Sequence, residues 1–468
     1  MTTTYLNKTF STPTNRKKYT MAGWFKRSSL SSNQYFYSYD SGGNAMFVIG
    51  FYATDKFTVY DRDASSGSDD INYVTTQVFR DTAAWYHFVV AVDTTDGTSG
   101  DRVKIYVNGE RLTAFDQSIQ PAQDYDTIAN SAVSKDIGRW QAGSNYYYGY
   151  MSQFIFIDGS ALTPSSFGST NANGVWIPNT SPSVTYGNNG FKLDFADSGA
   201  SAAAGNFGSD SSGNNHHFTS NNLADNPSTT DTPHNVFCTI NELSQQPSNP
   251  ATITQGGLKA ENTSTANNDN NNTNILGTMY PMTGKWYMEI KYVDGYTATD
   301  GTVMVGLKSS NVGRATTYNH GFIKNNGNNS HTVGYGNNGK VWYNNSELLS
   351  GLTTYTTGDI MGIAMDLTNG KFFVSKNGTF FSNGTGAQDP ANGTNPLYSS
   401  TNIQNPSDGM TPGIQLYSYP NGIAQMNYGN PSFSISSGNA DANGYGNFEY
   451  AVPSGFYAMC SKNLAQYG

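Results

Sequence analysis

Short alternating strands that end in Asn-Gly dipeptides constrain the fold of this chain more than any other feature. Residues 102–107 alternate polar and apolar side chains and stop at Asn108-Gly109, and the apolar run at 371–375 is followed by Asn377-Gly378. Asn and Gly adopt positive φ more readily than other residues, and both central positions of a type I′ turn require it. The pattern therefore predicts antiparallel β-hairpins.

Similar strands recur along both halves of the chain, and the composition suits them. Charged residues make up 13% of the chain and aromatic residues another 13%, with 50 Gly. No long segment has the apolar periodicity of an amphipathic helix. We expect an all-β protein with two β-sandwich or jelly-roll domains, at residues 1–168 and 275–468.

The segment between these domains, residues 169–274, is dominated by Gly, Ser, Asn and Ala. We predict a long connector there, which includes the low-complexity block 267–274. Its aromatic residues are expected to anchor it on the domains, because disordered linkers carry few aromatic residues. The anchors are Trp176, Phe191, Phe195, Phe207 and Phe218.

The formal net charge of -9 gives the chain no general attraction to nucleic acid. The first ten residues have no apolar signal-peptide core, and no apolar run is long enough to span a bilayer. We therefore expect synthesis in a host cytoplasm, no membrane insertion and no nucleic-acid partner.

Cys238 and Cys460 are too few for a disulfide framework or a zinc site. We expect both to be small buried apolar side chains, as free cysteines usually are. A single disulfide between them remains the alternative.

Catalytic motifs are missing from the sequence. His87 lies within a predicted strand, where a structural role is favoured over general-base catalysis. The Gly-x-Gly-x-x-Gly match that begins at Gly334 precedes a short aromatic strand rather than a helix, so we predict a hairpin there. No catalytic residue and no cofactor is expected.

Three carboxylates, Asp93, Asp96 and Asp101, lie in one predicted loop where oxygen ligands could hold calcium. Their spacing fits no EF-hand loop, so a solvated hairpin loop is the favoured interpretation and loop calcium is the alternative.

A tyrosine cluster is the best candidate for a ligand or interface site. Tyr146, Tyr147, Tyr148 and Tyr150 lie within five residues. Tyrosine offers a flat apolar ring and a hydroxyl group, which suit sugar rings and protein interfaces. Because a strand buries one face, the alternative is that alternate tyrosines belong to the core.

The first half carries a family resemblance in four places: the strand at 19–25 with Trp24, the strand at 85–89, the hairpin at 104–109 and the strand at 149–156. Together these resemble laminin-G-like, concanavalin-type jelly rolls over about residues 1–168. The resemblance implies a jelly roll that presents loops at one rim.

The second half carries another resemblance. Residues 284–290, 305–307, 333–336, 358–366 and 372–378 are similar in order and spacing to a SPRY domain, over about residues 275–430. The partners that such domains bind in animal cells are not implied, because binding loops are the part least shared.

Three further segments, at 15–28, 225–241 and 452–464, are similar to a group of virion-associated proteins of tailed phages. This resemblance implies a structural or adhesion protein on the virion surface. It fits a tail fibre or receptor-binding protein as well as a head-attached fibre or decoration.

The expected partners are other virion proteins and host surface polysaccharide. We also expect a homo-oligomer, with a trimer favoured, because fibre proteins are symmetric assemblies. The alternatives are a polysaccharide-degrading enzyme and a cellular carbohydrate-binding or protein-binding module.

Overall fold

The computed structural model describes residues 4–43, 45–65, 67–172, 174–197, 201–222, 228–245, 250–262, 273–294, 303–309, 332–343, 346–416 and 422–468. The chain divides into two compact units, Met1–Ser228 (unit 1) and Thr229–Gly468 (unit 2).

Unit 1 is built from antiparallel strands. Their bounds are β1 Tyr5–Thr9, β2 Lys18–Arg27, β3 Gln34–Asp40, β4 Met46–Phe51, β5 Lys56–Arg62, β6 Ile71–Val78, β7 Tyr86–Asp93, β8 Val103–Val107, β9 Glu110–Arg111, β10 Phe115–Ile119, β11 Ser134–Ile137, β12 Gly149–Asp158, β13 Gly168–Thr170, β14 Trp176–Pro178, β15 Phe191–Leu193 and β16 Thr219–Asn221.

These strands form two sheets that face each other. The larger sheet has the order β10-β6-β5-β4-β3-β11-β1-β16, and the smaller has the order β15-β12-β2-β7-β8-β9. Strands β13 and β14 form a separate hairpin. Aromatic rings fill much of the space between the sheets: Phe25 stacks on Phe36 at 3.7 Å between ring centroids, and Phe57 stacks on Phe88 at 4.1 Å.

The outer face of the smaller sheet is also covered. Ala22, Val89 and Ile155 are fully buried there and pack with Phe167 and Tyr186 from the segment that follows β12. Strand β2 is consequently buried on both faces along nearly its whole length. That double burial distinguishes β2 from a strand with one solvated face.

Unit 2 has a second set of strands and one short helix. Their bounds are β17 Thr252–Thr254, β18 Lys259–Glu261, β19 Thr273–Leu276, β20 Lys285–Asp294, β21 Met304–Ser309, β22 Thr332–Gly336, β23 Val341–Tyr343, β24 Ser346–Leu349, β25 Ile360–Asp366, β26 Lys371–Lys376, β27 Thr379–Phe380, β28 Tyr398–Ser399, β29 Met410–Leu416, β30 Ile423–Asn427, β31 Tyr457–Ala458 and α1 Ser461–Tyr467.

The strands of unit 2 again make two sheets around one core. One has the order β17-β18-β30-β20-β25-β26-β27, with β28 paired to β26 and β31 paired in parallel to β20. The other has the order β19-β29-β21-β22-β23-β24. The predicted all-β fold with two sandwiches is confirmed.

The C-terminal part of unit 2 is fixed to the first of these sheets by buried carboxylates. Glu289 on β20 accepts hydrogen bonds from the backbone amides of Glu449 and Tyr450, at 2.9 and 2.8 Å. Asp441 accepts from the amide of Ala458 at 2.9 Å and from Asn463 Nδ2 at 2.7 Å. Such bonds satisfy backbone groups that a short irregular segment cannot pair by itself.

The segment predicted as a connector, residues 169–274, contributes strands to both units. Strands β13 to β16 belong to unit 1, while β17, β18 and the start of β19 belong to unit 2. Phe191 and Phe218 lie in the unit 1 core, and Phe195 and Phe207 pack against it. Most of the low-complexity block, residues 267–272, lies outside the described residues.

The predicted Asn-Gly hairpins are confirmed. Asn108 and Gly109 have φ values of 49° and 89° between β8 and β9, and Asn377 and Gly378 have values of 47° and 79° between β26 and β27. The chain that begins at Gly334 forms the β22–β23 hairpin and no helix. Among the described residues, no helix is both long and apolar enough to cross a membrane.

Both cysteines are buried and free, as the favoured interpretation predicts. Phe237 and Cys460 face each other in an antiparallel bridge, so their side chains share one face of the chain. Cys238 follows Phe237 and lies in the main core of unit 2, whereas Cys460 lies with Phe237 in a separate apolar cluster. A disulfide would require the backbone to move, because the two side chains leave the bridge on opposite faces.

We predict that neither thiol of the native protein reacts with an aromatic disulfide reagent. Burial removes both thiols from solvent, and it raises the pKa of Cys460, which lowers the thiolate fraction. After denaturation without reductant, two thiols should titrate. A lower count in the denatured, unreduced protein, restored by reductant, would contradict the free state.

Candidate functional site

The tyrosine cluster follows a turn of unit 1 and is held by Tyr147, which packs against the core. The Tyr147 ring packs edge-on against Phe25 and Phe36, at 6.1 and 5.0 Å between centroids. Its hydroxyl donates a hydrogen bond to the Lys26 carbonyl at 2.8 Å. Burial raises the pKa of this hydroxyl well above its ordinary value. Tyr147 is therefore a partly buried residue that packs against the core of unit 1.

The neighbours of Tyr147 point away from the core, as alternation in an extended chain requires. Tyr146 and Tyr148 are each half-buried. The turn between Trp140 and Ser144 precedes them, and the Trp140 ring lies 5.6 Å from the Tyr35 ring. We call Tyr35, Trp140, Tyr146 and Tyr148 the tyrosine rim.

Backbone hydrogen bonds fix the tyrosine rim to the sandwich. The amide of Tyr35 donates to the carbonyl of Asn145 at 3.3 Å, and the amide of Ser28 donates to the carbonyl of Tyr148 at 3.0 Å. The amide of Tyr147 donates to the carbonyl of Gly138 at 2.8 Å. The segment is thus attached to both sheets, which fixes the position of its rings.

The charges nearest the tyrosine rim neutralise each other. Arg139 Nε lies 2.6 Å from Asp136 Oδ2, and the guanidinium lies over the Tyr5 ring at 3.3 Å. Asp136 is fully buried. This pair leaves the rim with aromatic and hydroxyl character rather than a strong net charge.

Tyr150 belongs to a different surface, on the outer face of the smaller sheet. Its ring lies 6.1 Å from Trp85. On the neighbouring strand β2, Trp24 stacks on His87 of β7 at 4.9 Å, and His87 stacks on Trp176 at 6.0 Å. We call Trp24, Trp85, His87, Tyr150 and Trp176 the aromatic cluster.

Strand register brings the aromatic cluster together. Trp24 pairs with His87 on β7 and with Ser152 on β12. Lys26, one step along the same face, is fully buried, and its ammonium lies 5.6 Å from the centre of the Tyr150 ring. The sequence pattern predicts strands for Trp24 and His87 but does not predict this cluster. The alternation of Trp24 and His87 with core residues such as Phe25 and Phe88 was the sequence signal that both lie on the opposite face of the sheet.

The hairpin of β13 and β14 places Trp176 on the cluster. Trp176 Nε1 donates a hydrogen bond to His87 Nδ1 at 3.1 Å. A Cβ on Gly109 would lie only 2.8 Å from the Trp176 ring, so the Asn-Gly turn also makes room for this indole. Burial lowers the pKa of His87 to about 3, which keeps the imidazole neutral and able to accept.

The three loop carboxylates do not assemble into a metal site. Asp93 pairs with Lys18 at 2.8 Å, and Asp101 pairs with Arg111 at 2.9 Å. Asp96 accepts a hydrogen bond from a nearby backbone amide instead. In the part of the chain that the structure describes, no group of three or more His, Cys, Asp or Glu residues is arranged to hold a metal ion.

Two domain families are found in the chain. Residues 2–167 match the concanavalin A-like lectin/glucanases superfamily, and residues 285–411 match the SPRY domain. The resemblances inferred for the two halves are therefore confirmed at the level of these domains. No curated protein sequence matches the chain.

The chain is also similar to several solved structures, at low sequence identity. The SPRY domain of human HERC1 is 14% identical, with 40% of this chain and 96% of that chain covered and a TM-score of 0.28. A putative carbohydrate binding protein from Bacteroides ovatus is 19% identical, with 47% and 56% covered and a TM-score of 0.33. The CBM40 of the Ruminococcus gnavus IT-sialidase is 14% identical, with 32% and 79% covered and a TM-score of 0.25.

We predict that His87 makes unit 1 less stable as the pH falls. The folded-state pKa of His87, about 3, lies below its ordinary value of 6.5. Between these two pH values only the unfolded chain binds a proton at His87. Between about pH 7 and pH 5, His87 should cost about 2 kcal/mol of unfolding free energy. Urea unfolding of the full chain, followed by tryptophan fluorescence, measures this loss.

The variant His87→Phe should lose the part of the pH dependence that His87 causes. Phe keeps a ring between Trp24 and Trp176 but has no titrating group. Tyr106→Phe, on the outer face of the same sheet, is the matched control and should keep the wild-type slope. Identical slopes for His87→Phe and the control would contradict the assignment.

Proposed function

We propose that this protein is a non-catalytic adhesion or structural component on the surface of a tailed-phage particle. It binds host surface glycan or another virion protein through unit 1. The observation that carries the proposal is the tyrosine rim, whose half-buried Tyr146 and Tyr148 are attached by backbone hydrogen bonds to both sheets of unit 1. Aromatic side chains with polar tips, held in place before binding, suit a recognition surface.

The chemistry of the tyrosine rim favours neutral, ring-shaped ligands. Half-buried tyrosines present both a ring face and a hydroxyl, so they can stack on a sugar and also bond to it. The nearby charge of Arg139 is compensated by Asp136. Low local charge removes the electrostatic attraction that a strongly charged ligand would need.

The location on a particle is supported by the three sequence segments that are similar to virion-associated proteins of tailed phages. Immunogold labelling of intact particles of the source phage tests it. Gold at the tail would support receptor recognition, and gold over the head would support a capsid fibre or decoration. Particles that carry no label, although the antibody detects the denatured chain in infected cells, would reject the virion assignment.

The proposal includes a homo-oligomer on the particle, with a trimer favoured. Several copies would raise the avidity of individually weak glycan contacts. Light scattering on the purified chain tests this part, and a strict monomer at high concentration would count against it.

We predict that the double variant Tyr146→Ala/Tyr148→Ala binds glycan roughly 5- to 150-fold more weakly, because two stacking partners worth roughly 0.5–1.5 kcal/mol each are lost. Its melting temperature should stay close to that of the wild type, since neither ring is in the core. Binding to immobilised host polysaccharide by biolayer interferometry measures the affinity.

Two further variants separate binding from folding. Tyr147→Ala should destabilise unit 1 by about 2 kcal/mol, because its partly buried ring packs against Phe25 and Phe36. Tyr60→Ala removes a half-buried tyrosine from the larger sheet and should leave glycan affinity unchanged. If Tyr60→Ala weakened binding as much as the double variant, the tyrosine rim would not be the site.

A further inference from the structure

Arg139 is fixed beside the tyrosine rim by a buried carboxylate. Asp136 on β11 is fully buried, and Arg139 Nε donates a hydrogen bond to its Oδ2 at 2.6 Å. Asn7, on the adjoining strand β1, donates from Nδ2 to Oδ1 of the same carboxylate. Ser38 Oγ on β3 donates to the carbonyl of Arg139 at 2.7 Å. The backbone and the side chain of Arg139 are therefore both held in place.

The guanidinium of Arg139 connects this buried carboxylate to the tyrosine rim. It lies over the Tyr5 ring, 3.3 Å from the ring centroid, so the ring covers one of its faces. The side chain of Arg139 is also hydrogen-bonded to the side chain of Tyr146. A guanidinium has N–H donors and no acceptor, so the hydroxyl oxygen of Tyr146 accepts this bond.

The direction of that hydrogen bond determines what the Tyr146 hydroxyl offers to a ligand. Because its oxygen accepts from Arg139, its hydrogen is available to donate to another group. A cationic donor also polarises the hydroxyl, which makes it a stronger donor. Tyr146 is half-buried, so part of its side chain reaches the surface. The tyrosine rim thus presents an oriented donor beside the ring of Tyr148.

We propose that the tyrosine rim selects a sugar that carries an acetamido group, and that the Tyr146 hydroxyl donates to the acetamido carbonyl. A carbonyl oxygen accepts and cannot donate, so it matches a hydroxyl that is held as a donor. The acetamido methyl group is apolar and packs on the neighbouring rings of Trp140 and Tyr148. This inference rests on the proposed function and names the ligand class of that same site.

Plain and acidic sugars fit this arrangement less well. A sugar hydroxyl both donates and accepts, so an oriented donor gives it no advantage over other polar groups. A carboxylate does accept, but Asp136 already neutralises Arg139, and a second negative charge beside Asp136 is repelled. A neutral acceptor on an otherwise plain sugar avoids both disadvantages.

The variant Tyr146→Phe tests the proposal. It keeps the ring and removes the hydroxyl, so its melting temperature should stay within a few degrees of that of the wild type. Affinity for oligosaccharides that end in N-acetylglucosamine or N-acetylgalactosamine should fall about three- to tenfold, because one hydrogen bond is lost. Affinity for the matched sugars that end in glucose or galactose should change less than about twofold. Biolayer interferometry with the full chain and immobilised sugars measures both.

Tyr148→Phe is the matched control, since it removes the other hydroxyl of the pair. It should act equally on the two members of each sugar pair and leave their affinity ratio at the wild-type value. Arg139→Lys tests the positioning role of Arg139. Lysine keeps a positive charge beside Asp136 but loses the planar guanidinium that holds the Tyr146 hydroxyl. The ratio should therefore fall as it does in Tyr146→Phe.

The outcomes separate this inference from the proposed function. A wild-type chain that binds the plain sugars as tightly as their acetamido partners would overturn the inference and leave glycan binding intact. An unchanged ratio in Tyr146→Phe would do the same, and so would tighter wild-type binding to a sugar that ends in glucuronic acid, because Arg139 would then contact the ligand itself. A wild-type chain that binds none of the sugars would overturn the glycan part of the proposed function as well.

Discussion

Burial of the smaller unit 1 sheet on both faces is the constraint on which the candidate site depends. One face of β2 packs against the larger sheet through residues such as Phe25, and the other face carries Trp24 and Lys26. A strand in that position cannot leave its second face to water, so the chain beyond β12 returns to cover it. The aromatic cluster lies at the end of this covered face, where the indole of Trp176 completes it.

The attachment of the candidate site's aromatic residues to strands has a mechanical consequence. The tyrosine rim follows a turn, but Tyr147 fixes it through core packing and a hydrogen bond to β2. The aromatic cluster lies directly on β2, β7 and β12. Rings held in this way lose little conformational freedom on binding, so more of the contact energy appears as affinity.

Unit 2 uses polar interactions to fix an irregular segment to its sheets. Buried Glu289 and Asp441 fix the C-terminal part of the chain through backbone amides. Each carboxylate offers several acceptor sites, so one side chain can satisfy the donors of an irregular segment. The C-terminal segment is therefore a structural part of unit 2. Its Phe448 and Phe456 cover one face of a sheet.

The sequence alone determined the all-β class, the two sandwiches and the Asn-Gly hairpins, because alternation and positive-φ turns are local properties of the chain. It also pointed to the tyrosine cluster, but it could not separate Tyr147 from its neighbours, since register decides which ring enters the core. The tertiary structure alone brought Trp85 to Tyr150 and Trp176 to His87, placed Gln153 in a bulge and put Cys238 and Cys460 in different apolar clusters. These arrangements follow from pairing between residues distant in the chain, and such pairing leaves no local pattern in the sequence.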